Sequence, residues 1–480
     1  MPAREVGLPD ELPPDLAAGL ADIRAKLEVP DAFPAEVLAA AEQAAVQPRL
    51  PDQDRTDIEL ITIDPQGSRD LDQAVHITRD GSGFLVSYAI ADVAAFVRAG
   101  DPVDLEAHRR GMTLYAPDRR TPLHPPVLSE GAASLLPGQV RPALLWTLRL
   151  DARGRMTDAE VDRALVRSRA QLSYVEAQAE IDSGSPRETL ALLGLVGPWR
   201  EQRETDRGGA SLQIPEQEVV HEPASTGDPG WRLAYRAPLP VEGWNAQISL
   251  LTGMAAADFM LYGQVGVLRT MPPADPGALR RLRRTAKALG LSWPADMDYP
   301  DFLRSLDSHR PRHAAMLNAC TALFRGAGYC TFSGGVPAEA EHAALAIEYA
   351  HVTAPLRRLV DRYAGETCVA LCADQSVPDW VLWKLDGLAE EMAAAERRAK
   401  KYERAIIDLV EVFLLQARVG EEFTGTVIDV DPDRHRGTVM IAEPAVAAKV
   451  SGSHLPLGEQ VRVRLVSADF SAGAVAFELA

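Results

Sequence analysis

The sequence predicts an α+β protein in three parts: a short helical unit at residues 1–50, a large mixed helix-and-strand domain at 57–418, and a C-terminal five-stranded barrel at 420–480. Three observations predict it. Asp15–Leu27 and Pro34–Val46 carry apolar residues at helical spacing on either side of a Pro30/Pro34 break. Residues 57–165 run as β-branched stretches separated by turns, and helical patterns dominate from 244 onward. From Glu422 to Ala480 the pattern returns to short β runs.

Length and charge narrow the function classes. A chain of 480 residues forms roughly three domains with ample core. The formal net charge of −18 argues against a protein that coats nucleic acid without specificity, so any nucleic-acid path is a local basic strip in an acidic body. The four cysteines, Cys320, Cys330, Cys368 and Cys372, make no CxxC pair and read as reduced thiols. Met1–Pro14 is acidic and proline-rich, unlike a signal peptide. Ile248–Leu268 is the most apolar run, but Asp258 and Gln264 interrupt it, which predicts a core helix and no membrane partner. A cytoplasmic, monomeric protein is expected.

The helical unit at 1–50 is compatible with a compact helix-turn-helix-like cap, with Pro48–Gln53 as linker. The chemistry-bearing stretch follows at Ile61–Ala74, ITIDPQGSRDLDQA. Ile58–Ile63 alternates as a half-buried strand does, and Pro65, Gly67 and Ser68 then turn the chain. If Asp70–Asp72 is extended, both carboxylates leave on one face, and the turn brings Asp64 back toward them. Such carboxylates repel unless a cation sits among them, and hard oxygen ligands select magnesium or manganese. The same spacing also suits an Asp-rich surface turn.

This stretch resembles the TIDxxxxxDxDDA signature of the ribonuclease II / RNase R (RNB-type) family of 3′-5′ exoribonucleases. The resemblance runs in order from about residue 57 to 415, with a tail to 480. Asp64, Asp70 and Asp72 fall on three of the four acidic positions, and Gln73 stands on the fourth. The resemblance implies a metal set of Asp64, Asp70, Asp72 and Gln73, with Asp70 and Asp72 in catalysis. It also implies magnesium, with manganese able to substitute, as a pair of ions roughly 3.5–4 Å apart.

Along the rest of the chain the resemblance assigns further roles. RRGMTLYAP (109–117) places Tyr115 stacked on RNA, and SRAQLSY (168–174) places Tyr174 beside the last nucleotide. Either tyrosine is equally readable as a core residue with a satisfied hydroxyl. In RGGASLQIPE (207–216), Gln213 takes the position of a base-clamping phenylalanine, giving up a stacking contribution of about 1–3 kcal/mol per base. In WNAQISLLTGMAAAD, Leu251-Thr252 replaces a Glu-Glu pair whose first member faces the terminal ribose.

EHAALAIEYAHVTAPLRRLVD (341–361) resembles HFGLxxxxYxHFTSPIRRYxD and sets Arg357 against the scissile phosphate, with Arg358 beside it. An arginine stays charged at physiological pH and can donate two hydrogen bonds to phosphate oxygens. The long helix pattern of Trp380–Arg418 carries Glu403 at a position the family uses in catalysis, and Lys400 and Lys401 as RNA contacts. Without the resemblance it is a charge-patterned surface helix. Five short runs, Phe423–Val430, Gly437–Ile441, Lys449–Ser451, Gln460–Val466 and Ala474–Leu479, suggest an OB-fold barrel, the RNA-binding module that ends the family's proteins. The resemblance as a whole implies processive 3′ to 5′ hydrolysis of single-stranded RNA to nucleoside 5′-monophosphates. A weakened relative that binds RNA without cutting it is the alternative, given Gln73 and the other substitutions.

Overall fold

The computed structural model describes residues 13–210, 216–221, 231–236, 238–470 and 472–480. Gln213 lies outside them. Helix α1 (Pro14–Lys26) and α2 (Ala35–Val46) open the chain. Five strands then close a barrel: β1 (Leu60–Asp64), β2 (Gln73–Asp80), β3 (Gly83–Ala91), β4 (Val140–Leu150) and β5 (Met156–Ser173). Neighbours run antiparallel until β5, which returns parallel to β1 with Asp64 opposite Ser173. The alternation that marked β3 and β4 delivers Phe84, Val86, Tyr88, Trp146 and Leu148 to the interior, all essentially inaccessible.

Between β3 and β4 lies α3 (Pro102–Arg110), begun by Asp101 accepting the Asp104 N–H and stopped by Gly111 at φ +72°. After β5 come α4 (Tyr174–Asp182), α5 (Glu188–Asp206) and α6 (Pro240–Gly263). The apolar residues of α6 surround it rather than forming a stripe, which suits a helix enclosed by the barrel, α5 and later elements. It ends before the predicted Leu268. Gln264 adopts φ +55°, and Val265–Thr270 pairs as a strand with Gly328–Ser333. A continuous apolar run cannot distinguish a buried helix from a helix followed by a buried strand.

Helices α7 (Pro276–Ala288), α8 (Tyr299–Arg304) and α9 (Pro311–Cys320) form a small core of their own, joined by Ile428. Helix α10 (Leu359–Cys372) packs into the first core. Helix α11 (Asp379–Leu415), 37 residues and about 55 Å long, bridges two cores. Val381, Leu385 and Met392 belong to the first, while Tyr402, Ile406 and Val410 belong to that of the second barrel.

That second barrel comprises β6 (Glu422–Asp431), β7 (Arg436–Ile441), β8 (Val446–Ser451), β9 (Gln460–Asp469) and β10 (Ala474–Leu479). Its order is β6-β7-β8-β10-β9, closed, with β8 and β10 parallel. The α+β class and the C-terminal five-stranded barrel are as the sequence predicted. The N-terminal helices differ from a helix-turn-helix cap, because they enter different cores. Leu16 and Leu20 of α1 pack with α11, whereas Val37 and Ala41 of α2 pack with Ile58, Leu60 and Phe96. Among the described residues no helix is long and apolar enough to cross a membrane.

Candidate active site

Two segments far apart in sequence meet at the mouth of the first barrel. One is the bend after β1. The Ser68 N–H donates to the Pro65 carbonyl, Gly67 takes φ +83°, and the chain runs on to Gln73 at the start of β2. Ser134 fastens it from outside: its hydroxyl donates to the Arg69 carbonyl at 2.6 Å and accepts the Leu71 N–H at 3.0 Å. The other segment is the loop before α10. Asp361 accepts the Ala354 N–H at 2.7 Å and pairs with Nε and Nη2 of Arg358 at 2.8 and 2.7 Å.

Asp72 joins the two. Its Oδ1 accepts the Leu356 N–H at 2.8 Å, and its Oδ2 lies 3.3 Å from Arg357 Nε. Asp72 is only 4% exposed. Burial pushes its carboxyl up to about 8, with Asp70 adding to the rise, while Arg357 and the Leu356 N–H pull it down. Asp70 pairs with Arg120 and lies within 3.5 Å of the Tyr115 hydroxyl. Half-buried Tyr115 therefore borders the acidic bend, its hydroxyl raised by burial and then by Asp70. Across the site, Tyr174 is the first residue of α4, after a capping box of Ser173 and Glu176. Burial and the charge of Asp64 push its hydroxyl up to about 12. The charge of Arg357 reaches both tyrosines.

Several predicted residues stand elsewhere or are otherwise engaged. Gln73 is engaged by neighbouring side chains and backbone: its Oε1 accepts the Tyr88 hydroxyl at 2.6 Å and its Nε2 donates to the Thr353 carbonyl at 2.7 Å. Arg358 is held by Asp361 and so braces the loop. Glu403 is half-buried on α11, and Lys400 and Lys401 are exposed there. Spacing missed Arg120, Tyr88, Ser134 and Thr353. Of these only Tyr88 carried a signal, as a polar tip on an inward position of an alternating strand.

The donor set fits a hard divalent cation in part. Asp70 and Asp72 are close enough for one charge to raise the other, and a cation between them would reverse that rise. Among the described residues, however, no three His, Cys, Asp or Glu side chains gather as one metal cluster.

Two closed five-stranded barrels, with an aspartate and an arginine meeting at the first, define a mixed α+β class of fold, and comparison with known proteins gives the family. Residues 52–368 match the RNB domain, and 421–480 match the RNase II-type exonuclease C-terminal S1 domain. The chain belongs to the RNB family. It is 27% identical to Ribonuclease R of Aquifex aeolicus over 95% of this chain and 69% of that one. Against Ribonuclease R of Escherichia coli it is 27% identical over 84% of this chain but 51% of that one, so it spans about half of that relative. Mycoplasma genitalium RNase R, solved in complex with ribose methylated single-stranded RNA, shares the fold with a TM-score of 0.86 at 18% identity, covering 97% of this chain and 78% of that one. Yeast Ssd1, described as a pseudonuclease, also shares it, with a TM-score of 0.72 at 17% identity, covering 96% of this chain and 57% of that one.

Proposed function

We propose that this chain is a 3′-5′ exoribonuclease that hydrolyses single-stranded RNA processively and releases nucleoside 5′-monophosphates. The carrying observation is the meeting of Asp72 with Arg357, residues 285 positions apart, in the two blocks that define the family. Tyr115 and Tyr174, whose hydroxyls both feel the charge of Arg357, are proposed to stack on the terminal bases. Arg357, fixed at its loop by the Leu356–Asp72 bond, turns its guanidinium from Asp72 to the phosphate when RNA enters. There its permanent charge stabilises the added negative charge of the transition state without reorganisation. Asp70 and Asp72, which feel each other's charge, would hold magnesium, or manganese in its place. Such an ion supplies a more acidic water and offsets charge on the departing 3′ oxygen. Glu403, Lys400 and Lys401 are proposed to line the RNA path along α11.

Incubating a labelled poly(A) oligonucleotide with the protein in magnesium, then in EDTA, tests this reading. Mononucleotides appearing only with magnesium support it. A second reading has a specific observation behind it: Asp70 and Asp72 are each already answered by an arginine, Arg120 and Arg357. On that reading the protein binds RNA without cutting it, and the oligonucleotide is retained at full length.

A further inference from the structure

We infer that Gln73 is a positioning residue whose amide ties together a ring of polar side chains holding the Thr353–Arg357 loop, so that a carboxylate at 73 lowers activity instead of restoring a fourth metal ligand. This rests on the hydrolytic reading above.

The ring has four members from four elements. Gln73 begins β2, Tyr88 lies on β3, Ser249 is on α6, and Thr353 stands in the loop that carries Arg357. Gln73 and Tyr88 are diagonal neighbours on the sheet, since Gln73 pairs with Ile90 and Val75 with Tyr88. The Gln73 amide fixes the direction, because Nε2 only donates and Oε1 only accepts. Nε2 donates to the Thr353 carbonyl, and Oε1 accepts from Tyr88. Tyr88 is fully buried and donates to Gln73. Ser249 lies beside the Tyr88 hydroxyl and shares a hydrogen bond with the Thr353 hydroxyl at 2.7 Å. The circuit begins and ends on Thr353.

Glutamate at 73 keeps the length but loses the donor, setting a carboxylate oxygen against the Thr353 carbonyl. Aspartate is also one methylene shorter and adds charge next to Asp72. Either change releases the loop that presents Arg357.

The test compares Gln73→Glu, Gln73→Asp, Tyr88→Phe and the double variant Gln73→Glu/Tyr88→Phe with the wild type, in magnesium, on labelled single-stranded RNA. Gln73→Glu is expected to lower kcat at least about tenfold while KM changes little, because a buried acceptor is left unpaired beside the loop and not in the RNA path. Tyr88→Phe, which keeps the ring carbons and so the packing, should act alike, and the double variant should lose little more than either single one. Gln73→Asp at or above wild-type turnover, or fully additive losses, overturns the inference. Should the wild type itself release no mononucleotide, the hydrolytic reading fails on its own. Hydrogen exchange at the backbone of residues 353–358 then decides: faster exchange in Gln73→Glu supports the ring, and unchanged exchange contradicts it.

Discussion

At the scale of single residues, the site rests on which groups answer a buried charge. The aspartates at 64, 70 and 72 were legible through the resemblance of their stretch to a family signature, since their spacing alone also suits a surface turn. What the sequence could not show is who faces them. Arg120 lies 50 positions from Asp70 and Arg357 lies 285 from Asp72, distances along the chain that only folding closes. Removing Arg357 as Arg357→Ala should lower kcat by about 10²–10³-fold with RNA affinity largely kept, since its charge acts in the transition state. Single-turnover kinetics beside an equilibrium binding titration checks this. His124 provides a second expectation. It is 2% exposed, hydrogen-bonds the Pro355 backbone and is held down to about 3 by burial, with Arg362 contributing. In the unfolded chain it titrates near 6.5. The unfolded state therefore binds the extra proton below that value, and stability is lost as pH falls from 6.5 toward 3. Urea titrations from pH 7 to 4.5 should show a slope that His124→Phe reduces by at most about 1.4 kcal/mol per pH unit.

At the scale of elements, strong periodicity was easy to read and context was not. Helices α1, α2 and α11, strands β1, β3 and β4, and the strands of the second barrel carry their patterns openly. The 18-residue β5 does not, because MTDAEVDRALVRSRAQLS alternates irregularly between solvent and core. The end of α6 was missed because Ile248–Leu268 is apolar throughout most of its length, and only the left-handed Gln264 separates helix from strand. Within α6, Gly253 marks a close approach: a Cβ there would lie 2.1 Å from Tyr349 Cε2 and 2.5 Å from the Ala350 carbonyl oxygen. Gly253→Ala should therefore lower stability by about 1–3 kcal/mol despite the better helix former, read as a lower urea midpoint. A midpoint equal to or above that of the wild type would show that the helix and the 349–350 segment separate at little cost.

At the scale of the whole molecule, α11 ties the catalytic body to the second barrel, and α1 braces it there. With a net charge of −18, the proposed RNA path requires a local strip of basic residues in an acidic body. Replacing Lys400 and Lys401 with glutamine should weaken RNA binding and flatten its salt dependence, by about 0.7 in the logarithmic slope for each phosphate no longer neutralised. An unchanged slope would place the route elsewhere. The central claim is that Asp72, set against Arg357, is where RNA is cut. It is tested most directly by Asp72→Asn on a 3′-labelled oligonucleotide in magnesium, with melting and RNA binding measured on the same samples. A folded variant that still binds the strand and releases no labelled mononucleotide is the predicted result. Hydrolysis at the wild-type rate by that variant would contradict the account.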